Sequence, residues 1–241
     1  GITPFNFPAM VPLWMIPLAI TVGNCFILKP SEQTPLSTFK IAEYLKEAGL
    51  PDGVFNIVNG AREVVEGICD HPDIKAVAFV GSSQVAKIVY SRSTANGKRA
   101  LCFGGAKNHM IVVPDADQDS TAKGLLASSM GSAGQRCMAA SVAVAVADVD
   151  PIIDQLVEEA RNYKPGVDMG TIVSKVALER ITGYIDEAEK MGAKILIDGR
   201  NATPPEGYEH GYWLGVTILD GVDPNWPSAT DEIFGPVLTI I

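Results

Sequence analysis

Short apolar runs alternate with amphipathic stretches along the first half of the chain. Strands buried on both faces of a parallel sheet are continuously apolar, so Asn24–Leu28, Phe55–Val58 and Ala76–Val80 are predicted to be strands. Helical spacing and cap residues around these runs predict helices at Val11–Ile20, Pro35–Ala48, Glu63–Cys69 and Gln84–Ser93. This alternation predicts a parallel sheet with helices on both faces.

The second half repeats the alternation with longer helices. The predicted strands are Met110–Val113, Val142–Ala147, Lys194–Asp198, Trp213–Leu219 and Val237–Ile241. The predicted helices are Ser120–Met130, Pro151–Asn162 and Lys175–Met191. A turn rich in glycine and other small residues leads from Met130 to Cys137. The whole chain is therefore predicted to be α/β, without repeats or low-complexity segments.

Composition changes this picture in one respect, the distribution of charge. The chain has 241 residues, is 47% hydrophobic and carries a net charge of -9, which is typical of a folded protein and argues against nucleic acid as a partner. Residues 1–105 carry 9 basic and 8 acidic side chains, whereas residues 106–241 carry 10 and 20. We expect a domain boundary near residue 105, with the near-neutral first half as the better host for an anionic cofactor.

Neither a membrane span nor a metal site is predicted. No charged residue precedes Lys29, but Pro8, Pro12 and Pro17 interrupt the backbone hydrogen bonding that a membrane span requires. The four cysteines, in contrast, are expected to be reduced thiols, because none forms a C-x-x-C pair or lies at zinc spacing from a histidine. We expect a cytoplasmic protein, or a mitochondrial matrix protein if the source is eukaryotic. The ends at Gly1 and Ile241 suggest a fragment of a longer chain.

Two predicted strand ends carry groups suited to a dinucleotide. Gly81 and Ser82 follow the strand Ala76–Val80 and begin a helix, where free N–H groups and the helix dipole favour an anion. Lys29 and Glu32 follow the strand Asn24–Leu28 and could bind ribose hydroxyls. An ordinary serine cap and an ordinary charged loop would have the same sequences, so each segment alone leaves both interpretations open.

Cys137 is the candidate nucleophile. It follows a flexible approach of small residues, and the neighbouring guanidinium of Arg136 favours the thiolate. Many lone cysteines are merely small core residues, and that alternative stays open. Asn6 lies between prolines and aromatics, where a rigidly held amide could stabilise an oxyanion, although a turn asparagine would have the same context.

Six segments, taken in order, resemble motifs of the aldehyde dehydrogenase superfamily. They are Pro4–Pro8, Lys29–Gln33, Phe79–Val85, Gly104–Asn108, Gly134–Cys137 and Glu232–Pro236. The resemblance implies the aldehyde dehydrogenase fold, with a Rossmann-like NAD-binding domain at residues 1–105 and an α/β catalytic domain at residues 106–241, each incomplete. The implied cofactor contacts are Lys29, Ser31 and Glu32 at the adenosine ribose, Ser82 with Gly81 and Val85 at the pyrophosphate, and Glu232 and Phe234 at the nicotinamide end. The implied catalytic groups are Cys137 as nucleophile and Asn6, with the Cys137 N–H, as oxyanion hole.

One departure from the family pattern bears on the reaction. Many members carry a glutamate that activates the hydrolytic water, and that position falls at Phe103, with no Asp or Glu anywhere between Ser91 and Pro114. Water should then attack the acyl intermediate slowly, whereas a thiol needs less help. The segments Gly104–His109 and Gly134–Ala139 are most similar to CoA-acylating methylmalonate-semialdehyde dehydrogenases. In an enzyme of that kind, Arg136 would pair with a substrate carboxylate. The alternative is that Arg136 only adjusts the reactivity of the Cys137 thiol or forms a structural pair.

The resemblance implies NAD-dependent oxidation of malonate or methylmalonate semialdehyde to an acyl-CoA with decarboxylation. Coenzyme A is the implied co-substrate, NAD is favoured over NADP because Glu32 would repel a 2′-phosphate, and a homo-oligomer is expected. Three alternatives remain open: a hydrolytic aldehyde dehydrogenase, a cysteine hydrolase in which His109 serves Cys137, and an inactive or structural fragment.

Overall fold

The computed structural model describes all residues, Gly1–Ile241, and the chain divides into two compact units, Gly1–Gly105 and Ala106–Ile241. The first unit alternates helices and strands in the order α1 (Met10–Thr21), β1 (Phe26–Leu28), α2 (Leu36–Glu47), β2 (Phe55–Ile57), α3 (Arg62–Asp70), β3 (Ala76–Val80), α4 (Ser83–Ala95) and β4 (Arg99–Phe103). All seven elements predicted in this unit are present, with small differences at their ends.

The start of the chain forms the centre of the first unit's sheet. Strand β1 pairs in parallel with β2, and β3 pairs in parallel with β4. Ile2 bridges both pairs, because its N–H donates to Ala78 O at 2.8 Å and it forms parallel bridges with Lys29 and Phe79. The resulting order is β2, β1, the Ile2 segment, β3 and β4, all parallel.

Strand β4 is the element of this unit that the sequence pattern did not predict. It begins with Arg99 directly after Lys98, and its short apolar run, residues 100–103, alternates between half-buried and exposed positions, so it lacks the burial of a central strand. The pairing of all five residues with β3 defines it as a strand. The buried core of the unit lies where α3 and α4 pack on β3, and it includes Ile68, Val77, Phe79 and Val89.

The second unit has one five-stranded sheet. Its elements are β5 (Asn108–Val112), α5 (Gln118–Met130), a 3-10 turn (Gly131–Gly134), β6 (Ala140–Ala145), α6 (Asp150–Arg161), α7 (Lys175–Met191), β7 (Lys194–Ile197), β8 (Thr217–Asp220), α8 (Pro227–Thr230) and β9 (Val237–Ile240). The strand order is β5, β6, β9, β8 and β7. Leu125 and Met130 of α5, Leu156 of α6, and Ile181 and Ile185 of α7 are fully buried in its core.

The alternation of helices and strands in the second unit is interrupted before β8, and β7 runs antiparallel to β8. A parallel connection needs a crossover, usually a helix, and the segment between β7 and β8 contains none. The predicted strand Trp213–Leu219 is also shorter than expected. Gly215 N donates to Gly199 O at 2.8 Å, so the backbone before Thr217 pairs with a loop instead of the sheet. None of the helices is both long enough and apolar enough to cross a bilayer.

Candidate active site

The carboxyl ends of β1 and β3 lie at the same edge of the first unit's sheet. Lys29 comes directly after β1, Gly81 comes directly after β3, and only the Ile2 segment separates the two strands. With roughly 5 Å between neighbouring strands, the two ends are roughly 10 Å apart. In open α/β sheets, a crevice outside the carboxyl ends of the strands is where nucleotides bind.

The Lys29 side chain holds the loop after β1 in place. It is 4% exposed, and its ammonium donates to Pro30 O at 2.7 Å, to Gly60 O at 2.9 Å and to Glu32 Oε2 at 3.3 Å. These three contacts match the donor capacity of an ammonium group. Ser31 Oγ accepts from Gln33 N at 3.3 Å and shapes the same turn.

Glu32 presents a carboxylate beside the Lys29 ammonium. A hydrogen bond with its own backbone N–H, together with the Lys29 ammonium, holds the pKa of Glu32 below its usual value. Its side chain is 59% exposed, so it is charged and accessible near neutral pH. An accessible carboxylate at a strand end can accept hydrogen bonds from ribose hydroxyls.

The N-terminus of α4 lies beside the end of β3. Ser82 is its N-cap and accepts from Val85 N, while Ser83 Oγ accepts from Gly105 N at 2.9 Å. A side chain at Gly104 would meet Ser83 Oγ at 2.8 Å, so the glycine allows this close packing. A thirteen-residue helix with a capped N-terminus at a sheet edge is suited to an anionic group such as a pyrophosphate.

Asn6 lies in the irregular segment before α1 and is half-buried. The preceding carbonyl, Phe5 O, accepts from Thr34 Oγ1 at 3.0 Å. This bond ties the segment to the loop that carries Ser31 and Glu32, and it restrains Asn6 as a positioned amide requires.

In the second unit, the approach to Cys137 is a left-handed turn. Ser132, Ala133 and Gly134 have φ angles of 54°, 52° and 67°. The left-handed conformation costs an L-residue other than glycine roughly 1–2 kcal/mol, so the surrounding packing must compensate at two positions. Ala133 and Gly134 are buried in this turn, and Cys137 at its end is half-buried.

Two side chains anchor the backbone around Cys137. Gln135 is 6% exposed, donates through Nε2 to Thr171 O at 3.0 Å and accepts from Val173 N at 3.0 Å. Asn108 donates through Nδ2 to Cys137 O at 2.8 Å and to Ala139 O at 3.1 Å. The thiol is therefore carried by a backbone held from both sides.

The Arg136 guanidinium binds the C-terminus of α5. It donates to the carbonyls of Ala127 and Ser128, the latter at 3.1 Å, where a cation also complements the helix dipole. Its Nε is buried without a hydrogen-bond partner. Arg136 lines a shallow cavity of about 350 Å³ together with Gly124, Ala127, Ser128 and Met138. The structural pairing considered for this residue is therefore present, through the two carbonyls at the end of α5.

The loop that carries Glu232 and Phe234 contacts the approach to Cys137. Glu232 Oε1 accepts from Ala106 N at 3.2 Å, and Phe234 adopts a left-handed φ of 57°. A side chain at Gly134 would collide with the carbonyl of Gly235, so the two loops pack backbone against backbone. Only glycine at Gly134 permits this approach.

A buried cation lies beside the same loop. The Lys107 Nζ is buried without a hydrogen-bond partner, and burial lowers the pKa of Lys107 from 10.5 to about 8, although the Asp231 and Glu232 carboxylates oppose that shift. His109 Nδ1 lies 2.9 Å from Lys107 O, so one nitrogen of the His109 ring has a partner other than the Cys137 thiol.

The structure thus gathers the predicted residues into two sets, one in each unit. Lys29, Ser31, Glu32, Gly81, Ser82 and Val85 lie at one sheet edge, while Arg136, Cys137, Glu232 and Phe234 lie on two contacting loops. Sequence reasoning missed the supporting residues Lys107, Asn108, Gln135, Arg180 and Tyr184. For Arg180 and Tyr184 the sequence does contain a signal, since they lie four residues apart in a predicted helix and so share one of its faces.

Comparison with known proteins supplies a family for this arrangement. The sequence model of the aldehyde dehydrogenase family matches residues 1–241. The chain is 49% identical over 249 residues to malonate-semialdehyde dehydrogenase of Pseudomonas aeruginosa, covering 100% of the chain and 50% of that protein. It is 52% identical over 244 residues to the acylating, mitochondrial methylmalonate-semialdehyde dehydrogenase of Arabidopsis thaliana, covering 99% of the chain and 40% of that protein.

A solved structure is similar over the same range. It comes from Sinorhizobium meliloti, is assigned as a methylmalonate-semialdehyde dehydrogenase and is complexed with NAD. The TM-score is 0.97 at 49% identity, covering 100% of the chain and 50% of that structure. The chain spans about half the length of the curated relatives it matches.

Proposed function

The chain belongs to the aldehyde dehydrogenase family and has its α/β fold, and from this premise we propose that the intact protein is a CoA-acylating semialdehyde dehydrogenase. Its substrates would be malonate or methylmalonate semialdehyde, oxidised with NAD and transferred to coenzyme A with loss of CO₂. The relatives at 49% and 52% identity carry the names of such enzymes.

The absence of a base for water is the single observation that carries the acylating proposal. No Asp or Glu occurs between Ser91 and Pro114, and Phe103, where many family members have their glutamate, lies on β4 with its ring about half exposed. Without a general base, water attacks a thioester slowly, whereas a thiol is partly ionised near neutral pH and strongly nucleophilic. We therefore infer a thiol, and not water, as the acyl acceptor.

In the proposed mechanism Cys137 is the nucleophile. Its thiolate adds to the aldehyde carbon, and the Asn6 amide and the Cys137 N–H donate hydrogen bonds to the oxyanion that forms. Bound NAD supplies the hydride acceptor. The Cys137 sulfur then carries the oxidised group as a thioester, whose carboxylate would leave as CO₂ while the carbon that bore it takes up a proton. The coenzyme A thiolate attacks the thioester carbonyl and displaces the Cys137 thiolate, which gives the acyl-CoA. The left-handed turn and the anchoring by Gln135 and Asn108 support this role, since they fix the backbone that carries the sulfur.

The residues of the first unit fit a dinucleotide. We propose that Lys29, Ser31 and Glu32 hold the adenosine ribose and that Gly81, Ser82 and Val85 form the pyrophosphate end. Support comes from the capped N-terminus of α4 and the exposed carboxylate of Glu32 at one sheet edge. The Glu32 carboxylate would repel a 2′-phosphate, and the Lys29 ammonium is already bonded to two carbonyls and Glu32, so NAD is favoured over NADP.

Arg136 is proposed to pair with the substrate carboxylate. Its place on the wall of the cavity near Met138 supports this role, and its bonds to α5 would hold the guanidinium in position. Glu232 and Phe234 are proposed to contact the nicotinamide end, the carboxylate at the ribose and the ring beside the nicotinamide. The intact protein is further proposed to be a homo-oligomer of the cytoplasm, or of the mitochondrial matrix in a eukaryote.

The test is an assay of the intact protein with methylmalonate semialdehyde and NAD, with and without coenzyme A, analysing thioester against free acid. We expect a steady rate of NADH formation that requires coenzyme A and yields an acyl-CoA. Cys137→Ala should abolish turnover, whereas the matched control Cys25→Ala, at an exposed cysteine, should retain it. An equal steady rate without coenzyme A, with release of free acid, would refute the acylating proposal in favour of hydrolysis.

A further inference from the structure

Two side chains of α7 bind the loop Asp231–Gly235. Arg180 donates to Glu232 O at 3.2 Å and to Ile233 O at 2.7 Å, and the Tyr184 hydroxyl donates to Asp231 Oδ2 at 3.0 Å. The two side chains lie on one face of the helix, with the guanidinium carbon 6.0 Å from the centre of the Tyr184 ring. One helix face therefore contacts three consecutive residues of the loop.

The loop needs this restraint because its backbone is in an unfavourable conformation. Phe234 has a φ of 57°, which is rare for an aromatic residue and persists only where the surroundings impose it. Gly235, the next residue, packs so closely on α7 that an added side chain would meet Ile181 Cδ1 at 2.7 Å. The same helix thus holds the loop on both sides of Phe234.

We propose that Arg180 and Tyr184 are positioning residues that place Glu232 and Phe234 for the nicotinamide end of the cofactor. The inference rests on the proposed function, in which Glu232 and Phe234 make those contacts. Arg180 acts on the main-chain carbonyls and Tyr184 acts on the neighbouring carboxylate, so the Glu232 side chain stays available to a ligand, with its Oε1 bonded to Ala106 N.

Because Arg180 is exposed, its proposed positioning role can be tested without disturbing the hydrophobic core. Arg180 lies on the exposed side of α7, while the helix is anchored in the core by the fully buried Ile181 and Ile185. Removing the guanidinium leaves that core intact. Burial, together with the bond to Asp231, raises the pKa of Tyr184, so its hydroxyl remains a donor near neutral pH.

The variants Arg180→Met and Tyr184→Phe test the inference in the intact protein. Losing a charged donor to two carbonyls should raise KM for NAD roughly tenfold in Arg180→Met, and losing one hydroxyl should raise it roughly threefold in Tyr184→Phe. KM for the aldehyde and Tm should stay near the parent values. The matched control is Arg161→Met, because Arg161 is an exposed helical arginine paired only with Glu158 at 3.7 Å. An unchanged KM for NAD in Arg180→Met would overturn the inference.

A double variant shows whether Arg180 acts through Glu232. In a Glu232→Gln background the effect of Arg180→Met on KM for NAD should shrink to about threefold or less, because residues that act together are not additive. Full additivity would overturn the positioning role. Parent activity, impairment by Glu232→Gln and normal kinetics in Arg180→Met would refute only the inference. A parent protein without NAD-dependent activity would refute the proposed function itself.

Discussion

Lys107→Met should stabilise the protein at neutral pH and lose that advantage at alkaline pH. Burial lowers the pKa of Lys107 from 10.5 to about 8, and the Nζ has no hydrogen-bond partner. At about 1.4 kcal/mol for each pH unit, the shift corresponds to roughly 3 kcal/mol of unfavourable free energy when the lysine is charged in the folded state.

The sign of the pH dependence follows from proton binding. Between about pH 8 and pH 10.5 the unfolded chain binds the Lys107 proton and the folded protein does not, so the stability of the parent rises with pH across that window. Below pH 8 the penalty is fully present, and above about pH 10.5 it is gone. Methionine has no such penalty, so the difference between variant and parent should be largest near pH 7 and shrink by up to roughly 3 kcal/mol toward pH 10.5.

The assay is urea unfolding of parent and variant at about pH 7, 9 and 10.5, followed by tryptophan fluorescence and circular dichroism. The matched control is Lys190→Met, at an exposed lysine in the last turn of α7, which should change little at any pH. A difference between Lys107→Met and its parent that is the same at all three pH values would refute the reasoning. Lower stability of the variant at pH 7 would refute it as well.

Further predictions concern the approach to the nucleophile and a helix cap. Gly134→Ala should lower Tm and activity together, because the added side chain would collide with the Gly235 carbonyl and because position 134 has a φ of +67°. Gly183→Ala is the matched control at an open helical position, and it should stabilise the protein by about 1 kcal/mol in thermal unfolding. Asp117→Ala should lower the free energy of unfolding at pH 7 by removing the N-cap of α5. Because the bond from Ser120 N lowers the pKa of Asp117, that difference should vanish as the pH falls through the range of this carboxyl group, and a difference that persists in acid unfolding would contradict the capping argument.

The local sequence pattern was sufficient for most helices and strands and for the family. Buried strands such as Ala76–Val80 are continuously apolar, and long helices such as Lys175–Met191 carry both a periodic apolar face and cap residues. The resemblance to the aldehyde dehydrogenase family is confirmed by the match across residues 1–241. The sequence was sufficient to recognise the family because six short motifs in order are far more specific than any one of them. The roles assigned to individual site residues stay predictions.

Pairing between distant segments decided what the pattern could not. Strand β4 has only a short apolar run that is partly exposed, and it is a strand because it pairs with β3. Strand β7 is antiparallel because no helix lies between β7 and β8. The left-handed conformations of Ala133 and Phe234 have no local signal either, since neither is a glycine. They follow from the packing of two loops, in which Gly134 allows close contact with the Gly235 carbonyl and Arg180 binds the carbonyls beside Phe234.

The sequence by itself therefore determined the alternation of elements, the family and the candidate nucleophile Cys137, because burial and caps act over a few residues and motifs are local. Only the tertiary structure decided how Cys137 is held, where the Arg136 guanidinium binds and which buried cation lies near Glu232. Those features depend on groups far apart in the chain, and the free energy of such contacts arises only once folding brings the groups together.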